Sequence, residues 1–234
     1  MSASVSQNER GHTVPVIAID GPGGSGKGTV SRIVAQRLSW HFLDSGALYR
    51  VVAVAAGQCQ IAVEDEAAVM DIARNLRAEF RSVDNHEEIL LDGRDVTAQV
   101  RSEETGNLAS RIAVIPAVRQ ALLKRQRDFR RPPGLVADGR DMGTVVFPDA
   151  NLKIFLTARA EERARRRYKQ LKEKGISVNL SRLLDEIIER DNRDSLRSTA
   201  PMKPAPDAQV VDTTGIAVDD VVERVLVLWE AESD

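Results

Sequence analysis

The sequence predicts an α/β fold in which helices cover both faces of a parallel sheet. Two observations carry this prediction. Short apolar runs that suit buried strands alternate along the chain with longer segments of helical periodicity. Several of the predicted strands also end in an aspartate, at the sheet edge where parallel α/β sheets bind their ligands. These aspartates are Asp20, Asp44, Asp138 and Asp212.

The first strand, residues 16–19, leads directly into a glycine-rich segment and then a helix. The glycines lie between Gly21 and Gly26, and Lys27 follows them at the start of a segment with helical spacing. In this setting G-x-x-x-x-G-K binds a polyphosphate, because glycine allows the tight turn and the helix start adds free N–H groups. An ordinary glycine-rich βα turn is the alternative, and the correct flanks on both sides favour the phosphate loop.

The phosphate loop departs from the commonest pattern at its end. Gly28 follows Lys27, and Thr29 carries the hydroxyl. This G-K-G-T ending resembles the nucleoside monophosphate kinases more than the switch GTPases. The residues expected to contact the polyphosphate are Gly21, Pro22, Gly23, Gly24, Ser25, Gly26, Lys27, Gly28 and Thr29.

The remaining elements follow from apolar periodicity and turn residues. Further strands are expected at residues 40–43, 135–137, 153–156 and 209–211. Helices are expected at residues 47–56, 64–76, 103–113, 117–129, 160–174, 180–196 and 218–229. Residues 77–96 alternate and contain Asp92-Gly93, which predicts a small antiparallel meander with a tight hairpin. Three prolines between Thr199 and Asp207 predict a surface loop.

Composition limits the class of protein. A chain of 234 residues with 42% hydrophobic and 29% charged residues is typical of one globular domain. The formal charge of −2 gives no overall field toward nucleic acid or anionic lipid. No apolar run approaches the ~20 residues of a membrane helix. No nucleic-acid or membrane partner is therefore expected.

The polar residues 1–13 carry no apolar signal segment and are expected to form a flexible tail, so a cytoplasmic protein is predicted. A monomer is expected. The single Cys59 cannot form an intramolecular disulfide, and we expect it to be packed rather than reactive.

A second group of polar residues lies beyond the phosphate loop. The segments DSGALYR, residues 44–50, and DGRD, residues 138–141, put acidic and guanidinium groups at strand ends. Arg190, Asp194 and Arg197 share a helix face. Taken singly, such residues are usually helix caps or solvated ion pairs. Their occurrence together with a phosphate loop favours a binding site.

From about Val16 to Val227, the chain resembles the bacterial cytidylate kinases, which are P-loop nucleoside monophosphate kinases. The resemblance is carried by DGPGGSGKGT, LDSGALYR, ADGRDMGTVVFPDA, KIFL and ERDNRD, in that order. It implies a nucleoside monophosphate kinase fold with a small antiparallel β insert in the monophosphate-binding region and a helical lid. The implied single domain, 14–231, divides into a core (14–50, 114–157 and 197–231), an insert (about 51–113) and a lid (about 158–196).

The resemblance also implies transfer of the ATP γ-phosphoryl group to CMP or dCMP, with Mg²⁺ accompanying ATP. By residue matching, Ser110, Arg119 and Asp141 hold cytosine. Arg50, Arg140 and Arg197 grip phosphate and, with Lys27, form the expected catalytic set. Tyr49, Arg190 and Asp194 contact ribose, and Ser45 is also assigned to the CMP site. A carboxylate at 141 would accept from the cytosine N4 amino group and repel the O4 of uracil.

Other assignments stay open at the level of sequence. The family's mobile lid reaches ATP with arginines, for which Arg163 and Arg167 are the candidates. The alternative is a solvated helix, because Glu161–Arg165 and Glu162–Arg166 are i,i+4 pairs in the same segment. Thr29, Asp138 or Asp20 could approach Mg²⁺ through water. Residues 212–214 lie near adenine or form a plain turn.

Three rival functions remain. A kinase for another nucleoside monophosphate, such as UMP, would share most of these motifs. A regulatory GTPase would want Ser or Thr directly after Lys27 and an N-K-x-D motif, and both are absent from the sequence. A kinase for a hydroxylated metabolite would need a general base but no arginine set for a second phosphate.

Overall fold

A five-stranded parallel sheet is the centre of the computed structural model, which describes residues 14–83, 86–173 and 175–233. The strands in chain order are β1 (Val16–Asp20), β2 (His41–Asp44), β3 (Ala78–Val83), β4 (His86–Leu91), β5 (Arg94–Asp95), β6 (Leu135–Gly139), β7 (Leu152–Thr157) and β8 (Gln209–Asp212). The helices are α1 (Lys27–Leu38), α2 (Ser45–Gln58), α3 (Glu66–Arg74), α4 (Thr97–Val100), α5 (Glu103–Ile112), α6 (Pro116–Arg127), α7 (Ala160–Glu173), α8 (Leu180–Ser195) and α9 (Val218–Ser233).

The parallel sheet has the strand order β2-β6-β1-β7-β8. Its central strands β1 and β6 are buried along their whole length, as the apolar runs predicted. The register pairs Asp44 with Asp138, Asp20 with Gly139, and Thr157 with Asp212. The strand-end aspartates therefore lie along one edge of the sheet.

Helices cover both faces of this sheet. On one face, Val30 and Val34 of α1 and Val222 and Val225 of α9 pack against β1 and β7 in one apolar cluster. On the other face, Leu48 of α2 packs with the apolar side chains of β1 and β6 and with the segment 142–150. This confirms the α/β class and the two-sided covering of the sheet.

Most apolar residues of the segment 51–113 share a core with helix α6, whose Val118 and Leu122 lie outside that segment. Helix α2 is buried along ten of its residues, and α3, α5, α6 and β4 pack around it. The antiparallel sheet β3-β4-β5 is the predicted meander. Its hairpin turns at Asp92 (φ 49°) and Gly93 (φ 77°), the two left-handed residues that the D-G pair predicted.

Two elements were not expected from the sequence. Helix α4 is a single turn between the meander and α5. Residues Met142–Val146 form a π-helical turn directly after Asp141. The expectation that Cys59 is packed is wrong, because it lies exposed at the end of α2, where the helix leaves its buried stretch. Within the described ranges, every helix is too short or too polar to span a lipid bilayer.

Candidate active site

A cavity of about 600 Å³ opens at the carboxyl edge of the parallel sheet. The glycine-rich loop forms its floor, and α7 and α8 form its opposite wall. The side chains that reach it include Arg50, Asp138, Arg140, Arg166, Arg167, Leu183, Ile187, Arg190, Asp191 and Thr213. This is the edge where the predicted phosphate loop and the strand-end aspartates meet.

The loop after β1 adopts a conformation that only glycine tolerates at two positions. Gly21 has φ +144°, and a Cβ there would lie 2.0 Å from the carbonyl oxygen of Leu156. Gly24 has φ +78°, and its Cβ would lie 3.0 Å from Cβ of Arg163. The chain therefore curls against both β7 and α7 before α1 begins at Lys27.

Lys27 is buried and lies between the loop and the end of β6. Its Nζ donates to the carbonyl oxygen of Pro22 at 3.3 Å and lies 3.9 Å from Oδ1 of Asp138. Burial, followed by the nearby Arg140, lowers the pKa of Lys27 to about 8. Burial also raises the pKa of Asp138 to about 6, against the opposing effect of Lys27. An anion that entered the cavity would give this ammonium a stronger partner.

Three arginines add positive charge to the cavity. Arg140 donates through Nε to Oδ2 of Asp194 at 3.0 Å. Arg50 donates through Nη1 to the carbonyl oxygens of Val100 at 2.9 Å and Ser102 at 3.0 Å. Burial, reinforced by Arg140, lowers the pKa of Arg190 to about 9, and among residues 14–83, 86–173 and 175–233 its Nε has no hydrogen-bond partner.

The residues predicted for the base form a buried polar cluster beside the cavity. Arg119 and Asp141 form an ion pair in which both side chains are buried. The guanidinium of Arg119 lies 5.8 Å from the ring centre of Tyr49. Burial raises the pKa of Tyr49 to about 12, while a hydrogen bond with the side chain of Gln126 acts to lower it. The cluster therefore holds polar and charged groups out of water.

Arg197 and Asp194 connect this cluster to the phosphate side. Nε of Arg197 donates to the carbonyl oxygen of Asp194 at 3.1 Å, while its Nη2 has no partner. Burial acts to raise the pKa of Asp194, but Arg140, Arg190 and Arg197 outweigh it, so the pKa lies below its usual value. Asp194 is thus a charged carboxylate that holds the arginines in place.

The two predicted serines are held by residues that the sequence prediction did not include. Ser45 donates to Oε1 of Gln126 at 2.7 Å, and both side chains are buried. Ser110 accepts from Nη1 of Arg193 at 3.0 Å. Arg193 lies three residues after Arg190, on the same stripe of α8, so helical spacing was the signal that could have found it. Gln126 left no comparable signal.

Helix α7 contacts the phosphate loop through two arginines. Arg163 is buried; its Nη1 donates to the carbonyl oxygen of Gly23 at 3.1 Å and its Nη2 to Asp191 at 2.5 Å. Arg166 donates through Nη1 to the carbonyl oxygen of Ser25 at 3.3 Å and through Nη2 to that of Thr213 at 2.6 Å. Sequence reasoning missed Arg166 because its i,i+4 pair with Glu162 resembled a solvated surface contact.

Arg167, the second predicted lid arginine, lies on the cavity wall and forms an ion pair with Glu103 of α5. It also donates to Oε1 of Gln170 at 3.2 Å. The solvated-helix alternative fails for Arg163, which is 5% exposed. It holds for Arg165, which is exposed.

The far end of the cavity is apolar. Leu183, Ile187, Ile216, Val218 and Val221 line it. Thr213 is buried there, and its hydroxyl donates to the carbonyl oxygen of Ser25 at 2.9 Å. Asp212 instead caps its own turn by accepting from the backbone N–H and the hydroxyl of Thr214. Residues 212–214 therefore form a turn that also brings Thr213 against the phosphate loop, and their proximity to adenine stays a prediction.

Two candidates for approaching a metal ion face the cavity, and the third does not. Thr29 is exposed, and Oδ1 of buried Asp138 finds no hydrogen-bond partner within the described part of the chain. Gly28 leaves room beside Asp138, since a Cβ there would lie 3.1 Å from Oδ2. Asp20 is committed elsewhere, because both its oxygens accept backbone hydrogen bonds. The described residues contain no cluster of three or more potential metal ligands.

Comparison with known proteins agrees with this geometry. The sequence model of the family described as cytidylate kinase matches residues 17–231. Cytidylate kinase of Aeromonas salmonicida is 55% identical over 218 residues, which are 93% of this chain and 95% of the relative. Cytidylate kinase of Klebsiella pneumoniae is 55% identical over 213 residues, which are 91% of this chain and 94% of the relative.

A crystal structure of an uncharacterized protein from Eubacterium ventriosum shares the fold. It aligns with a TM-score of 0.50 and 11% identity, over 93% of this chain and 99% of that one. The chain described here, with its glycine loop, arginine-lined cavity and buried Arg119–Asp141 pair, belongs to the cytidylate kinase family.

Proposed function

We propose that this kinase transfers the γ-phosphoryl group of ATP to CMP or dCMP, giving ADP and the nucleoside diphosphate. The observation that carries the proposal is the convergence of Lys27, Arg50, Arg140 and Arg190 on one cavity whose floor is the phosphate loop. The triphosphate of ATP and the phosphate of CMP are both anions, and bringing them together in one cleft needs this much positive charge to offset their repulsion.

ATP would lie along the loop, with its phosphates on the backbone N–H groups of residues 23–29. Lys27 would neutralise charge on the outer phosphates as the γ-phosphoryl group moves. The adenine ring suits the apolar end of the cavity, beside Ile187, Ile216 and Arg166. Because Arg163 and Arg166 donate to loop carbonyl oxygens, their role in this proposal is to hold the loop, while Arg167 stays free to meet phosphate if its pair with Glu103 opens.

CMP would enter from the side of α2 and α5. Arg50, Arg140 and Arg197 would grip its phosphate, and Arg190 and Asp194 would meet its ribose. The phosphate of CMP is largely a dianion near neutral pH, with a second pKa of about 6. The acceptor oxygen is therefore already a nucleophile, and the reaction needs alignment and charge neutralisation rather than a general base.

Cytosine would be recognised by the buried cluster of Ser110, Arg119 and Asp141. Asp141 accepts from the N4 amino group, while Arg119 donates to the ring acceptors. Burial raises the pKa of Asp141, but Arg119 and Arg197 act to keep it charged. Uracil would face this carboxylate with a second acceptor, which leaves a buried polar group unpaired and disfavours binding. This contact is the reason to prefer CMP over the alternative UMP.

A divalent cation, Mg²⁺, would accompany ATP and neutralise phosphate charge when bound. Thr29 and Asp138 fit such an ion through water, because Asp138 has an unpartnered buried oxygen and Gly28 leaves space beside it. The chain itself contributes the positions of Thr29 and Asp138 beside the phosphate loop.

A coupled assay of ADP formation tests the proposal. Purified enzyme with ATP and Mg²⁺ would be offered CMP, dCMP, UMP, AMP and GMP in turn. We expect the highest kcat/KM with CMP or dCMP. Preference for UMP would favour the alternative substrate, and failure to form a diphosphate from any of them would overturn the proposal.

Asp141→Ala tests the assignment of the base. We expect the kcat/KM ratio of CMP to UMP to fall about 5- to 150-fold, since a bidentate or charged base contact is worth about 1–3 kcal/mol of discrimination. KM for ATP serves as the internal control. An unchanged ratio would remove Asp141 from the base site.

A further inference from the structure

Asp20 is a buried acidic residue at the end of β1 that does not line the nucleotide cavity. Its Oδ1 accepts from the backbone N–H of Met142 at 2.8 Å, and its Oδ2 accepts from that of Gly143 at 2.8 Å. Both carboxylate oxygens thus accept hydrogen bonds from a segment more than a hundred residues away in sequence.

Those two N–H groups open the π-helical turn Met142–Val146, whose N-cap residue is Asp141. The first N–H groups of a helix lack partners within the helix, and an aspartate at the N-cap usually accepts from them with its own side chain. Asp141 makes no such bond. Its carboxylate pairs instead with Arg119, in the cluster proposed to bind the base.

We propose that Asp20 is a positioning residue for base recognition: it caps the turn in place of Asp141 and so leaves the Asp141 carboxylate aimed at the substrate base. This inference rests on the proposed function. Asp20 also directly precedes Gly21, so one residue joins the phosphate loop to the turn that carries the base contact.

The capping carboxylate titrates near neutrality. Burial raises the pKa of Asp20 to about 7, with smaller effects of the same sign from Asp141 and from Asp138 at the end of β6; the bonds from Gly143 and Met142 act against them. Because the pKa lies above its ordinary value, Asp20 takes up a proton as the pH falls through 7. A protonated oxygen is a donor facing an N–H donor, so the turn loses one of its two bonds below that pH.

Asp20→Asn tests the inference with a side chain of the same shape. The amide offers one acceptor oxygen, and its NH₂ group cannot accept from the second N–H. We expect the kcat/KM ratio of CMP to UMP to fall at least tenfold, while KM for ATP changes less than twofold. An unchanged ratio, or an equal rise in KM for both nucleotides as a purely structural role predicts, would overturn it.

Asp65→Asn is the matched control. Asp65 caps α3 by accepting from the backbone N–H of Ala68 at 3.1 Å, and it is exposed and outside the cavity lining. Since asparagine is also a good N-cap residue, this variant should keep the wild-type ratio.

The pH profile of the wild-type enzyme provides a test that needs no variant to fold. The CMP to UMP ratio cancels ionisation of the substrate phosphate, which is the same in both nucleotides. We expect this ratio to fall as the pH decreases through about 7, and to be independent of pH in Asp20→Asn. A flat wild-type profile would overturn the inference alone, whereas absence of CMP turnover at every pH would instead contradict the proposed function.

Discussion

Single residues at the carboxyl edge of the sheet depend on being kept out of water. Lys27, Asp138 and Arg190 all have pKa values moved toward neutrality, with burial as the largest cause. Burial weakens the preference of each group for its charged form and strengthens every interaction with a partner that arrives. We infer that the site is poised to bind anions rather than saturated by its own ion pairs.

The first prediction concerns Lys27. Its pKa of about 8 lies below the ordinary value of 10.5, so the ammonium is charged below pH 8 and becomes neutral above it. We expect kcat/KM for ATP to fall roughly tenfold between pH 7.5 and 9, because this profile reports the free enzyme. Initial rates with both ATP and CMP far below saturation would measure it, because a CMP phosphate bound in the cavity would itself raise the pKa of Lys27.

Lys27→Arg is the control, since a guanidinium keeps its charge throughout this range. Its residual activity, whatever its level, should not decline over the same interval. A flat profile in the wild-type enzyme would contradict the role given to Lys27.

At the scale of elements, helix α5 leaves space for a neighbouring side chain, and helix α7 holds the phosphate loop in place. Helix α5 has Gly106 against the guanidinium of Arg50, where a Cβ would lie 2.8–3.1 Å from its atoms. Helix α7 holds the phosphate loop through Arg163 and Arg166. Both helices therefore act on the substrates by positioning other residues.

Gly106→Ala should displace Arg50 from its place beside Val100 and Ser102. Alanine favours the helix by up to about 1 kcal/mol, so the fold should not suffer. We expect KM for CMP to rise about tenfold, with KM for ATP nearly unchanged. Gly57→Ala is the control, because nothing lies within 4 Å of a Cβ there. Equal KM values for the two variants would rule out the close approach as a determinant of CMP binding.

Arg163→Ala should remove the ion pair between buried Arg163 and half-buried Asp191, together with the bond to Gly23. Because Asp191 keeps some contact with water, we expect less than the roughly 3–5 kcal/mol of a fully buried pair, about 1–2 kcal/mol in the free energy of unfolding, together with a higher KM for ATP. Arg165→Ala, two residues along on the exposed face, should stay within about 0.5 kcal/mol of the wild type. Urea denaturation of both variants would decide; similar losses would mean that α7 is stabilised by general packing instead.

At the scale of the whole molecule, polar contacts join helix α5 to helices α7 and α8. The α5·α8 contact includes Arg193 with Ser110, and α7 reaches α5 through Arg167 and Glu103. Residues 51–113 share an apolar core with Val118 and Leu122 of α6, and this core is distinct from the two clusters that flank the parallel sheet. The predicted division into core, insert and lid, which assigns α6 to the core, remains a prediction.

Substrate binding should stabilise the whole molecule. A ligand present at one hundred times its dissociation constant adds about 2.7 kcal/mol to the free energy of unfolding. We therefore expect CMP at that concentration to raise the denaturation midpoint clearly, and UMP at the same concentration to raise it much less. Equal effects of the two nucleotides would contradict discrimination by the buried cluster.

The sequence by itself determined the α/β class, the phosphate loop and the strand-end aspartates, because these depend on local periodicity and glycine placement. It also placed the D-G hairpin, since Asp92 and Gly93 must take left-handed backbone angles wherever the strands pair. The resemblance to the cytidylate kinases came from ordered motifs, which need no knowledge of packing.

Only the tertiary structure decided which charges meet. Arg166 looked like a surface residue, yet the fold brings it to Ser25 and Thr213, and Arg167 meets Glu103 on another helix. Asp20 looked like a possible metal partner until the fold showed both its oxygens on the turn after Asp141. Contacts between residues far apart in the chain leave no periodic trace in it, because they arise when separate elements dock and bury their polar groups together.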